Sequence, residues 1–150
     1  MNINFLSDFT ANQLLDAKFG IEREGLRVNK EGKLSTKPHP GVFGDKKANP
    51  YITTDFSESQ LELITPVFSQ ASDAVAFLDS LYNIAVLELE DELIWPQSMP
   101  AISPPDDEIP LAVFSGQEYD RTYREYLSAK YGGKKQLISG IHINFSFGEN

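Results

Sequence analysis

A strand with two carboxylates on one face is the strongest constraint on how this chain folds. Phe19–Val28 reads Phe-Gly-Ile-Glu-Arg-Glu-Gly-Leu-Arg-Val. Side chains alternate along an extended chain, so Glu22 and Glu24 point one way while Ile21 and Arg23 point the other. Folding brings like charges together, which costs free energy unless positive charge sits between them. Arginine side chains could supply it, and so could a divalent cation. Hard carboxylate oxygens are the ligands that magnesium and manganese prefer. The plainer alternative is an exposed strand face whose charges keep the edge from pairing.

Two further segments carry ligand-type groups on a strand. In Tyr51–Pro66, Ser59–Thr65 reads as a strand with Leu61 and Leu63 inward and Gln60, Glu62 and Ile64 on the other face. Asp55 precedes it in a turn of small polar residues, and Glu58 is expected at the strand's exposed start. Gln136–Phe147 alternates more strictly. Ile141, Ile143, Phe145 and Phe147 share one face; His142, Asn144 and Ser146 share the other. Strict alternation puts one side against a core and the other toward water, a ligand or a cleft. Each polar face taken alone has a plain reading as a solvated strand. Taken together they outline a carboxylate-plus-imidazole cation site on a mainly antiparallel sheet flanked by helices, an α+β arrangement.

The remaining segments supply the flanking elements. Thr10–Lys18 reads as a short helix stopped by Gly20, and Asn29–Gly32 as a hairpin turn into Lys33–Thr36. Lys37–Pro50, with three prolines and two glycines, is expected to be a surface loop, with His39 an ordinary part of it. Ser69–Leu93 shows apolar residues at three- and four-residue spacing and reads as one long helix. Its end, with Glu88, Glu90, Asp91 and Glu92, opposes the helix dipole and is expected to be solvated. A proline-rich loop with a solvent-facing Asp106-Asp107-Glu108 cluster leads to a helix over Glu118–Tyr131, stopped by Gly132-Gly133.

Composition narrows the function classes. A chain of 150 residues suffices for one domain with a sizeable core. The net charge of −9 argues against non-specific binding to nucleic acid or an anionic membrane. Without cysteine, disulfides, thiolate metal sites and a catalytic thiol are excluded. Met1–Thr10 lacks a basic region followed by an apolar core, and no apolar run approaches spanning length, so a cytoplasmic location is the expectation. Neither a phosphate loop ending in Lys-Ser/Thr nor a Gly-x-Gly-x-x-Gly fingerprint is present.

An ordered set of motifs extends over nearly the whole chain. They are Gly20-Ile-Glu-Arg-Glu-Gly-Leu-Arg-Val28, Ile52-Thr-Thr-Asp-Phe56 with Leu61-Glu-Leu-Ile-Thr-Pro66, Trp95-Pro-Gln-Ser-Met-Pro100, Tyr123-Arg-Glu125, and Ile138-Ser-Gly-Ile-His-Ile-Asn-Phe-Ser146. In this order they resemble the N-terminal part of bacterial glutamate–cysteine ligase (gamma-glutamylcysteine synthetase), including the form fused to a glutathione synthetase domain. Each motif alone is weak; the order makes the resemblance specific.

The resemblance implies a glutamine-synthetase-like fold on a curved, largely antiparallel sheet. It also implies ATP-dependent ligation of glutamate, through its gamma-carboxylate and an acyl phosphate, to cysteine, the first step of glutathione biosynthesis. Magnesium or manganese would link acidic protein groups to phosphate oxygens. Carried over by position, Glu22, Glu24, Asp55, Glu62 and His142 match metal-binding positions. Phe56 and Tyr123 match the wall of the cysteine pocket, and Gln136 and Asn144 fall where glutamate would be held. Phe56 and Tyr123 have core packing as their alternative, and Asn144 a bond to neighbouring backbone. Residues 1–150 are then expected to be the N-terminal part of a catalytic domain, truncated at its C-terminal end, with further ligands coming from the rest. The open alternatives are a non-catalytic relic or metal-binding module, and a different ATP-dependent carboxylate–amine ligase.

Overall fold

A computed structural model describes residues 10, 16–99, 102–114 and 118–147. The expected helix over Thr10–Lys18 falls for the most part outside the described residues, and its last residue already belongs to a strand. That strand, β1 (Lys18–Val28), is the axis of the sheet. It is followed by β2 (Ile52–Thr54), β3 (Gln60–Ile64), helix α1 (Ala71–Glu88), β4 (Leu93–Ile94), α2 (Glu118–Tyr131), the single turn α3 (Gly133–Gln136) and β5 (Ile141–Ser146).

All the strand pairings are antiparallel, and β1 takes part in three of them. Along one edge β3 sets Glu24 opposite Glu62 and Leu26 opposite Gln60. Along the other, β5 sets Gly20 opposite Asn144 and Glu22 opposite His142, and β4 pairs with Arg27 and Val28. β2 adds to the outer side of β3, with Thr53 opposite Glu62. Paired residues share a face, so this register decides what meets what.

One face of the sheet is closed by α1. Ala74, Leu78, Leu81 and Ala85 form the buried stripe, and they pack on Ile21, Leu61 and Leu63. A second core forms where Leu26, Leu34, Phe56, Ile109 and Leu137 meet. On β1, Leu26 follows Glu22 and Glu24 on their face, so that face is acidic at one end and apolar at the other.

Three expectations need correction. α1 ends at Glu88 rather than running to Leu93, because Glu90 adopts φ 50° and turns the chain back so that Leu93–Ile94 can pair with β1. β5 covers only Ile141–Ser146; Gln136 closes α3, which starts after Gly132 breaks α2 at φ 87°. The alternating apolar residues of β5 do not reach a core: Ile141, Ile143 and Phe145 are 62%, 67% and 63% exposed. They share the face of Ile21, but α1 packs over β1 and β3 and leaves β5 beyond its edge.

Candidate functional site

The acidic end of the sheet collects residues from four segments. β1 contributes Glu22 and Glu24, β3 contributes Glu62, β5 contributes His142 and Asn144, and Asp55 follows β2. His142 Nδ1 stands 3.4 Å from Glu22 Oε2, and the Asn144 side-chain amide donates to Glu22 Oε1 at 3.1 Å. The Gly140 N–H donates to Glu24 Oε2 at 2.9 Å. A Cβ on residue 140 would lie 3.4 Å from His142 Nε2, within ordinary contact distance, so the backbone here runs beside the imidazole.

Charge is concentrated here without being balanced. Burial, followed by the negative charges of Asp55, Glu22 and Glu24, pushes the Glu62 carboxyl up to about 7. Burial also raises Glu24, against the pull of the Gly140 N–H, and Asp55 adds to the rise. Asp55 itself is raised by burial, with Arg124 opposing. The five groups therefore feel one another although they come from positions 22 to 142 of the chain. Among the described residues, no three of them are drawn into a ready metal shell. Their chemistry nevertheless fits a hard dication. The donors are carboxylate oxygens and one imidazole, and burial raises the Glu24, Asp55 and Glu62 carboxyls, a rise that bound positive charge would oppose.

The other expected site residues differ in their surroundings. Asn144 sits on the acidic face beside Glu22 and borders a groove of about 250 Å³ with Lys18, Gly20, Ile64 and Val67. Tyr123 lies on α2 and is 54% exposed. Its neighbour Arg124 donates from Nε to the Asp55 carbonyl oxygen at 3.1 Å, which ties α2 to the Asp55 turn. Phe56 is only 4% exposed and packs in the second core, so its ring takes the core alternative. Gln136, at the end of α3, is off the polar face of β5 on which the expected strand would have put it. Two contributors had not been singled out. Gly140 has no side chain to signal its role, and Arg124 was visible only as the middle of Tyr-Arg-Glu.

A second charged cluster lies near the far end of β1. Arg27 is fully buried, pairs with Glu92, and donates from Nη2 to the carbonyl oxygens of Lys37, Pro38 and Glu58. Both Glu92 and Glu58, expected in solvent, are only 8% exposed. Glu58 accepts from the Lys46 ammonium and from the N–H groups of His39 and Val113. Burial works upward on its carboxyl, but those donors together bring it below the usual range. His39 is pushed down to about 4, first by burial and then by Lys46 and Arg27.

Fold and site together define an α+β domain with an antiparallel sheet and one strongly acidic face. The family profile for glutamate-cysteine ligase matches residues 3–150, and the chain belongs to that family. It is 50% identical over 137 residues to the glutathione biosynthesis bifunctional protein GshAB of Listeria monocytogenes, covering 91% of this chain and 18% of that protein. It is 47% identical over 148 residues to the glutamate–cysteine ligase of Clostridium acetobutylicum, covering 97% of this chain and 31% of that one. The crystal structure of the Francisella tularensis glutamate–cysteine ligase in complex with AMP superposes with a TM-score of 0.84 at 43% identity. That match covers 88% of this chain and 27% of the other. The chain thus spans less than a third of the length of these relatives.

Proposed function

We propose that residues 1–150 form the N-terminal part of a glutamine-synthetase-like catalytic domain in an ATP-dependent glutamate–cysteine ligase, acting in the first step of glutathione biosynthesis in the cytoplasm. Family membership supports the reading, as does the relatives' occurrence both alone and in the GshAB form. A covalently linked glutathione synthetase domain is part of the proposal. Among the described residues no helix is long and apolar enough to cross a membrane.

The observation that carries the reading is the unbalanced acidic face. Three carboxylates, Glu22, Glu24 and Asp55, and the His142 imidazole gather around Glu62, whose carboxyl is pushed up to about 7. A triphosphate could not approach such a face directly, because like charges repel across a medium less polarisable than water. Glu22, Glu24, Asp55, Glu62 and His142 would hold magnesium or manganese, which supplies charge neutralisation between carboxylates and phosphate oxygens. Asn144, bonded to Glu22, stands where it could orient the glutamate substrate, and Gln136, at the end of α3, is the second residue assigned to it. Tyr123, exposed beside Arg124, is the residue that lines the cysteine side, and Phe56 supports it from the core. In the ligation, a gamma-carboxylate oxygen of glutamate attacks the gamma-phosphorus of ATP and ADP leaves. The cysteine nitrogen then forms the amide bond as phosphate departs from the acyl carbon and the amine loses a proton.

The test uses the full-length protein. Glu22→Gln keeps the side chain's shape and removes a charge, so formation of the dipeptide and release of ADP should fall to a small fraction of wild type, with excess magnesium restoring only part. Wild-type protein that releases no ADP when given glutamate, cysteine and ATP would overturn the reading. A panel of acceptor amines separates cysteine selectivity from a related ligase.

A further inference from the structure

The Asp55 turn is fastened by a residue outside the acidic face. Glu58, three positions on, joins two distant segments through its carboxylate. The Lys46 ammonium and the His39 N–H (2.7 Å) come from the segment after the hairpin, and the Val113 N–H (2.8 Å) comes from residues 102–114. Its main chain adds two ties, donating to Pro110 O and accepting from Arg27 Nη2, each at 2.9 Å. The Lys46 ammonium then lies 5.1 Å from the centroid of the Phe114 ring, and the Arg124 guanidinium lies 4.8 Å from the same centroid. Arg124 closes the circuit by donating to Asp55 O at 3.1 Å.

The geometry points to Glu58 as a positioning residue: through Lys46, Phe114 and Arg124 it fixes the Asp55 turn and α2 against the acidic face, and so sets how tightly that face holds a dication. This rests on the metal reading proposed above. Neutralising Glu58 leaves the Lys46 ammonium, 12% exposed, without its counter-charge. A buried ammonium in that state moves toward water. Phe114 then loses one of its two cations, while Val113, the residue before it, loses a charged acceptor. Arg124 is left on a ring that is no longer held, and the Asp55 turn gains freedom. Losing a group that orients metal ligands costs about 10- to 100-fold in affinity.

The experiment measures Mn2+ binding by the full-length protein, without substrates, together with amide hydrogen exchange. Glu58→Gln should weaken Mn2+ binding about tenfold. It should also speed exchange at the Asp55 and Ala112 amides, which donate to Gln60 O and Phe56 O, and leave β1 amides unchanged. The double variant Lys46→Met with Glu58→Gln buries no lone ammonium. It should regain melting temperature but not Mn2+ affinity, and it carries the comparison if the single variant does not fold. Recovery of both by the double variant would mean a merely structural role and overturn the inference. So would an unchanged Mn2+ affinity in Glu58→Gln, which leaves the metal reading standing. Wild-type protein that binds no Mn2+ overturns the metal reading, and the role of Glu58 with it.

Discussion

Around Arg27, the carboxylates that the fold buries are met by cations: Glu92 by the guanidinium and Glu58 by the Lys46 ammonium and two backbone N–H groups. On the opposite face of β1, Glu22, Glu24, Asp55 and Glu62 are gathered; His142 and Arg124 are the positive groups acting on them, and the Gly140 and Phe56 N–H groups add opposition at Glu24 and Asp55. The two clusters use similar residues, yet burial raises three of the carboxyls in the second and fails to raise Glu58 in the first. Internal neutralisation goes with a cluster that holds segments together. Its absence at the other leaves repelling carboxylates for which the proposed dication supplies the missing charge.

The largest effect tests the neutralised cluster. Glu92→Ala strands Arg27 as a buried unpaired charge, and removing one partner of such a pair costs about 3–5 kcal/mol of stability. Thermal or denaturant unfolding measures it, and a loss under about 1 kcal/mol would show that Arg27 is satisfied by its three carbonyl partners alone.

Acidity sharpens the comparison, because the two clusters respond with opposite sign. Glu62 titrates near 7 in the folded chain against 4.5 as the ordinary value. Folded protein therefore keeps a proton that unfolded protein loses, and stability falls as pH rises from 4.5 toward 7. His39 titrates near 4 against 6.5, so unfolded protein takes up the proton first and stability falls as pH drops from 6.5 toward 4. The windows overlap, and single variants separate them. Glu62→Gln should improve stability at pH 7 relative to pH 5, and His39→Gln should do so at pH 4.5 relative to pH 7. Unfolding curves across that range check both; parallel shifts at all pH values would contradict the assignment.

The smallest effect comes from next door to the largest. Asp91 pairs with Lys37 at 3.0 Å, but both side chains are more than half exposed. Water and salt screen such a pair. Lys37→Ala should leave the unfolding midpoint unchanged within error, although its partner is the residue beside Glu92.

Asp91 and Glu92 also show where sequence reasoning ends. Nothing in the run Leu89-Glu-Asp-Glu-Leu93 tells them apart, and both were expected in solvent. The alternation of β1 did assign Glu22 and Glu24 to one face, and the pattern of β5 put His142 and Asn144 together. The end of α2 at Tyr131 followed from Gly132. These features were legible because periodicity is local: the next few residues decide which way a side chain points. Burial is decided elsewhere. Glu92 meets Arg27 across 65 positions of sequence, and Glu58 meets Val113 across 55. Likewise Phe56 turned inward because Leu26, Leu34, Ile109 and Leu137 converge on it, and Ile143 stayed exposed because α1 stops short of β5. The sequence by itself determined the faces of the strands and the acidic character of one of them. Which charges are neutralised was decided only when distant segments packed, because a partner's position depends on the path of the whole chain between.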